Sequence, residues 1–215
     1  YPLLAGVCDE NQEKSLISHL TTKNRLWSDI GITAVDQSAP YYRIDGYWNG
    51  TVWMPHQWFF WKTMLDLGKA DIAFKIAQTA LQLWQREVDL TYNCYEHFMI
   101  QTGRGGGWHN FGALSSAVLS WFGAYYRPGR LTSGFDIWPV ETLFSQHNTS
   151  LKAVLKLFGP KNQNISLIAV MNPNHKYQIQ WQGEIIKHKE LSPGTLSFNI
   201  SRNTPQGTLI INKKQ

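Results

Sequence analysis

The residues best suited to chemistry lie in three segments of the first half of the chain. The central one is Tyr92-Asn93-Cys94-Tyr95-Glu96-His97-Phe98-Met99, in which Glu96 is a single carboxylate among aromatic rings. Apolar surroundings raise a carboxyl pKa by desolvating the charged form, unless hydrogen-bond donors compensate. A carboxylate held in place is what general-base catalysis needs. A glutamate in this setting can also be paired with a nearby cation such as Arg104.

The second segment is Tyr47-Trp48-Asn49-Gly50-Thr51-Val52-Trp53-Met54-Pro55-His56-Gln57-Trp58. Sugar recognition needs flat apolar faces for C–H surfaces and well-placed polar groups for hydroxyls. Trp48 and Trp53 offer the faces, and Asn49 and His56 offer polar groups. By composition alone the same segment is also an aromatic loop that caps a core. The third is Gln101-Thr102-Gly103-Arg104-Gly105-Gly106-Gly107-Trp108-His109-Asn110-Phe111, whose consecutive glycines let backbone approach a ligand closely. It lacks the Gly-Lys-Ser/Thr ending of a phosphate loop and no apolar strand precedes it, which excludes a nucleotide site of that type. His97 and His109 do not form an HExxH pattern, so no metal and no cofactor are expected.

The elements that must position these residues change period along the chain. Asp9 is a candidate N-cap for a helix over Gln12 to Leu20. Pro55 suits the first turn of a helix running to about Leu67 and stopping at Gly68. Ala73, Ala77, Ala80, Leu81, Trp84 and Val88 form one stripe of a helix from Lys69 to about Val88. A further helix is expected over about Ala113 to Tyr126, before Pro128-Gly129. The intervening stretches Gln37 to Thr51 and Asp89 to Asn110 are long for loops and too aromatic for disorder, so they read as loops that build a site.

From Ser150 the pattern becomes short and alternating. Strands are expected over Leu151–Leu157, Ile165–Met171, Lys176–Gln182, Thr195–Ile200 and Thr208–Ile211. Gly159-Pro160, Asn172-Pro173-Asn174, Pro193-Gly194 and Pro205-Gln206-Gly207 mark the turns. The domains expected are therefore a mainly α region over 1–130, a linker over 131–149 in which Phe135 to Trp138 docks, and a small antiparallel β-sandwich-like domain over 150–215.

Composition narrows the classes. Of 215 residues, 43 % are hydrophobic and only 16 % charged, which suits a buried core and excludes a disordered chain. The net charge of +5 is spread without a basic run, so nucleic acid is not an expected partner. No apolar run reaches the ~18 residues of a membrane span, and no membrane partner is expected. Cys8 and Cys94 belong to no metal-spaced cluster and read as two buried thiols or as a pair brought together by the fold. The chain opens at Tyr1, as if cut from something longer, and no compartment is indicated.

In combination the motifs become recognisable. Tyr-Trp-x-Gly-x-Val-Trp-x-Pro, two helices, Tyr-Glu-x-Phe, Thr-Gly, a Gly-rich turn and a closing helix resemble the C-terminal part of the (α/α)6-barrel glycosidases of glycoside hydrolase family 63. They are also similar to the related trehalase and mannosylglycerate hydrolase groups. Tyr1-Pro2-Leu3-Leu4-Ala5-Gly6-Val7 and Trp27-Ser28-Asp29-Ile30-Gly31-Ile32 fit the same region, so the resemblance covers roughly residues 1 to 126. It implies an incomplete (α/α)6 barrel and an inverting exo-glycosidase, in which one carboxylic acid protonates the leaving oxygen and a second carboxylate activates water. Glu96 matches the base. Trp48, Asn49 and Trp53 match positions around the terminal sugar. Substrate contacts are expected at Trp48, Asn49, Trp53, His56, Tyr95, Arg104, Trp108 and His109.

Three positions depart from the family pattern: Asn49 stands where an Arg is common, Thr51 where a Pro is common, and Gly112-Ala113-Leu114 where Gly-Trp-Thr is common. Asp29, Asp36 and Asp45 lie outside the motif of the catalytic acid, which is expected on a missing N-terminal part of the same polypeptide. This chain alone is then expected to be inactive. The expected partners are that N-terminal part and an oligosaccharide or glycoside substrate. The competing reading is a carbohydrate-binding or accessory module without catalysis, using Trp48, Trp53 and Trp108 as platforms.

Overall fold

The computed structural model describes residues 1–159 and 163–214. The chain divides into two compact units, each discontinuous in sequence: Tyr1–Trp61 with Phe74–Trp121, and Lys62–Ala73 with Phe122–Gln215.

The first unit begins with α1 (Pro2–Ala5), closed by Gly6 in the left-handed region. The helix α2 (Glu10–Thr21) follows. As expected, Asp9 caps it: Oδ1 accepts from the N–H groups of Asn11 and Gln12, and the Gln12 side chain accepts from the N–H of Asp9. β1 (Trp27–Ser28) and β2 (Gly31–Ile32) form a tight hairpin. Buried Gln57 clamps it, with Nε2 donating to the Ile32 carbonyl and Oε1 accepting from the Ile32 N–H. Gln57 lies on α3 (Met54–Asp66), which has Pro55 in its first turn. α4 (Ala70–Thr91) follows after Gly68, at φ 69. Ala73, Ile76, Ala77, Ala80 and Leu83 form its buried stripe.

Strands β3 (Tyr95–Phe98) and β4 (Gly105–His109) make an antiparallel hairpin with a bulge between Tyr95 and His97. The loop before α3 is tied to this hairpin through Val52, which exchanges both main-chain hydrogen bonds with Phe98. The single helix expected over 113–126 is two helices, α5 (Gly112–Ser115) and α6 (Ala117–Tyr126). Ser116 separates them, its hydroxyl donating back to the Ala113 carbonyl and competing with helix continuation.

In the second unit β5 (Arg130–Thr132), β6 (Ile137–Phe144), β7 (Ser150–Leu157), β8 (Asn164–Val170), β9 (Tyr177–Trp181), β10 (Glu184–Ile186), β11 (His188–Ser192), β12 (Thr195–Ser201) and β13 (Gln206–Lys213) form two antiparallel sheets. Their orders are β10-β9-β13-β7-β6 and β11-β12-β8-β5. One apolar cluster joins the sheets, including Leu155, Ile179 and Leu209 from one with Leu167, Phe198 and Ile200 from the other. Along β7 the burial alternates with period two, as a half-buried strand requires.

The chain is therefore mixed α and β, and several expectations are corrected. The stretch 131–149 carries β6 and most of β5, because Ile137 and Phe144 pack with the sandwich core while the strand pairs with β7. The stretch Asp89 to Asn110 contains the β3–β4 hairpin instead of a plain loop. Gln206-Gly207, read as part of a turn, already belongs to β13, where Gly207 faces Leu155. Pro160, of the expected Gly159-Pro160 turn, lies outside the described residues.

One polar cluster supports the second unit. The buried Asp66 carboxylate accepts the N–H of Phe135 at 2.7 Å and that of Asp136 at 3.1 Å. Buried Arg202 reaches the Asp136 carboxylate and the carbonyls of Phe158 and Asp66. Burial pushes the Asp66 carboxyl up to about 6, against the opposing pull of its hydrogen bonds.

Candidate active site

Glu96 sits on β3, and its carboxylate is held by donors from two other segments. The Tyr47 hydroxyl donates to Oε1, and the Trp108 N–H donates to Oε2 at 3.2 Å. The direction expected from desolvation is thereby reversed. The Tyr47 hydrogen bond, helped by the Trp108 N–H, holds the carboxyl below its ordinary range, because donors stabilise the charged form. The same bond pushes the Tyr47 phenol up. Glu96 is therefore ionised near neutral pH.

The loop carrying Tyr47 is built to hold that ring still. The Tyr47 carbonyl accepts from Thr51 Oγ1 at 2.8 Å and from Trp53 Nε1 at 3.0 Å. Its ring stands edge-on to Trp53 at 4.8 Å, to His97 at 5.2 Å and to Trp48 at 5.6 Å. Gly50 is required in the loop, since a Cβ there would lie 1.9 Å from the Arg43 carbonyl oxygen.

Trp48 and Trp53 stack with centroids 3.7 Å apart and planes within 10°. Trp53 is buried, and its ring also stacks on His97 at 5.1 Å. It therefore backs the stack and offers no face to a ligand, contrary to expectation. Trp48 is 52 % exposed and presents the open face. His56 lies beside Trp48 at 5.7 Å, and burial pushes its imidazole pKa down. Trp108 is 69 % exposed and lies near-parallel to His109 at 5.7 Å.

Two expected substrate contacts are otherwise engaged. Asn49 closes its own loop, with Nδ2 donating to the Tyr41 carbonyl at 2.7 Å. Arg104 does not pair with Glu96. Its Nε and Nη2 donate to the two oxygens of Glu87 at 2.9 and 3.2 Å, and Glu87 also accepts the Gly105 N–H. Glu87 continues the buried stripe of α4 where an apolar residue would fit, so it needs this partner. Tyr95 packs on the same end of the hairpin, its ring covering Gly105.

The Gly105-Gly106-Gly107 run has a different purpose from the one its composition suggested. A Cβ on Gly105 would lie 2.2 Å from the Tyr95 ring, and one on Gly106 would lie 2.9 Å from His97 Nε2. A Cβ on Gly107 would lie 2.5 Å from Glu96 Oε2. The glycines make room for the side chains of β3. Sequence reasoning thus missed Tyr47, His97 and Glu87 as parts of the site. Their signals were an aromatic next to Trp48, a His next to Glu96 and a carboxylate on an apolar stripe. Buried His97 Nδ1 has no hydrogen-bond partner among the described residues. Nor do any three His, Cys, Asp or Glu side chains gather there to hold a metal ion. Cys8 and Cys94 are free thiols, both half-buried.

A carboxylate held ionised by two donors can accept a proton as a general base. Residues 1–113 match the family model of the mannosylglycerate hydrolase MGH1-like glycoside hydrolase domain, and the chain belongs to that family. A mannosylglycerate hydrolase of Thermus thermophilus is 27 % identical over 123 residues, which are 56 % of this chain and 28 % of that protein. Among solved structures, the chain is similar to a GH63 mannosylglycerate hydrolase from Thermus thermophilus in complex with glucose, at 27 % identity and TM-score 0.46, over 56 % of this chain and 27 % of that one. The structure of the same enzyme with Tris and D-glycerate aligns at 27 % identity and TM-score 0.44, again over 56 % and 27 %. This chain spans less than a third of the length of these relatives.

Proposed function

We propose that this chain is the base-bearing part of an inverting exo-glycosidase acting on α-linked glycosides. Its helices belong to an (α/α)6 barrel that an N-terminal part of the same polypeptide completes. Glu96 is the general base, taking a proton from water as the water oxygen attacks the anomeric carbon. The general acid comes from the N-terminal part and protonates the leaving oxygen. In inverting enzymes the two carboxyls stand roughly 6.5–9.5 Å apart, which admits the water. Trp48 provides the apolar platform with His56 beside it, and Trp108 and His109 are further substrate contacts.

The observation that carries this reading is the Glu96 carboxylate itself, kept ionised by the Tyr47 hydroxyl and the Trp108 N–H next to an exposed indole. A base must be unprotonated and held within reach of its proton, and the two donors keep the carboxylate charged and fix its direction. In the complete protein, Glu96→Gln lowers glycoside turnover by about 10²–10⁴-fold while leaving sugar binding nearly intact. Turnover near wild type would remove the assignment. A wild-type protein that binds glycosides but releases no sugar would favour the non-catalytic binding module.

A further inference from the structure

We propose that Tyr47 is the positioning residue of this site: its hydroxyl occupies Glu96 Oε1 and so makes Oε2 the oxygen that takes the proton from water. The inference rests on the reading of Glu96 as general base and adds how that base is aimed.

Geometry gives the two carboxylate oxygens unequal duties. Oε1 accepts a charge-assisted bond from a phenol whose ring is fixed on three sides by Trp48, Trp53 and His97. Among the described residues, Oε2 accepts only a longer bond, at 3.2 Å, from the Trp108 N–H. The less engaged oxygen keeps more of its lone-pair density and is the more basic of the two. The Trp108 N–H comes from β4, where Gly107 at φ 74 leaves space directly against Oε2. The proton balance is simple. Water gives one proton to Oε2 as its oxygen bonds the anomeric carbon, the glycosidic C–O bond breaks, and the leaving oxygen takes the proton of the acid.

The Tyr47 hydroxyl has no structural duty that would explain it otherwise. The loop's hydrogen bonds run to the Tyr47 carbonyl, which any residue would supply. The ring is 44 % exposed, and its packing needs no hydroxyl. Titratable groups around the carboxylate are Tyr47 from the loop and His97 from β3, with Tyr95 and His109 facing each other across the hairpin. Burial pushes the His97 imidazole pKa down, against the pull of the neighbouring Glu96. Protonation of Glu96 sets the acidic limb of the pH profile, and the Tyr47 hydrogen bond is the largest influence on where it falls.

The test is Tyr47→Phe in the complete protein, followed by kcat and KM across pH, by glycoside binding and by thermal unfolding. The expected result is a fall in kcat of about 10- to 100-fold. KM and Tm stay near wild type, and the acidic limb of kcat/KM moves to higher pH. Tyr47→3-fluorotyrosine, a stronger donor of the same shape, moves that limb to lower pH. If Glu96→Gln is inactive but Tyr47→Phe leaves both kcat and the acidic limb unchanged, the positioning role is wrong and the base assignment stands. If kcat falls only together with Tm, the role is structural and the inference fails. Should Tyr47→Phe not fold, an acidic limb unmoved by fluorotyrosine overturns the inference by itself. An active Glu96→Gln variant would overturn both readings together.

Discussion

Gly107→Ala tests how tightly the hairpin is built around Glu96. Gly107 has φ 74, and an L-residue with a side chain pays about 1–2 kcal/mol to adopt that conformation. The added methyl would also lie 2.5 Å from Glu96 Oε2 and 2.8 Å from His97 Cε1. Neither neighbour retreats freely. Glu96 is held by Tyr47, and His97 is stacked on buried Trp53. Overpacking of this kind costs about 1–3 kcal/mol more, for a total of roughly 2–5 kcal/mol. At about 2–8 °C per kcal/mol, Tm should fall by at least roughly 4 °C. Turnover should fall with it, because relief of the clash displaces the carboxylate. The control is Gly112→Ala, where a Cβ meets no heavy atom within 4 Å. That variant should stay within about 0.5 kcal/mol of wild type. Unfolding curves for both, with hydrolysis assays on the complete protein, decide the matter. If Gly107→Ala matches Gly112→Ala in Tm and retains turnover, the glycines do not serve the carboxylate.

Two further outcomes follow from the ion pairs. Arg104→Ala strips the guanidinium from Glu87, whose side chain is 2 % exposed, while Arg104 itself is 49 % exposed. Water partly replaces the lost charge, so denaturant unfolding should show a loss of about 1–3 kcal/mol with KM unchanged; a raised KM at unchanged stability would restore Arg104 as a substrate contact. Asp66 has a folded pKa of about 6 against an ordinary 3.8. As pH rises the unfolded chain releases this proton first, so Asp66 withdraws about 3 kcal/mol of stability between roughly pH 4 and 6 and no more above that. In Asp66→Asn that part of the slope of stability against pH should vanish, and an identical slope in variant and wild type would contradict the burial argument.

Sequence by itself determined what depends on near neighbours in the chain. Asp9 with Gln12 sets the start of α2 within one turn, and Pro55 and Gly68 bracket α3, because caps and backbone sterics act locally. The alternation after Ser150 marked five of the sandwich strands, since side chains on a strand must change faces at every residue. It passed over the short β10 and β11, and β6 before Ser150 was read as linker, because β6 and β10 are mostly exposed and none of the three carries a clear alternation. The motif around Glu96 was legible as chemistry, and the family follows from it and from the match over residues 1–113. What surrounds that carboxylate was decided only by tertiary structure. Tyr47 lies 49 positions away in sequence, yet its hydroxyl reverses the direction in which an aromatic setting would shift Glu96. Arg104 is drawn to Glu87 because an unpaired carboxylate buried on α4 is costlier than any contact Arg104 makes at the surface. Trp48 and Trp53 look alike in sequence, but stacking buries one and leaves the other a face. Local rules place the elements; charge pairing and close packing across distant segments choose which side chains remain free to meet a ligand.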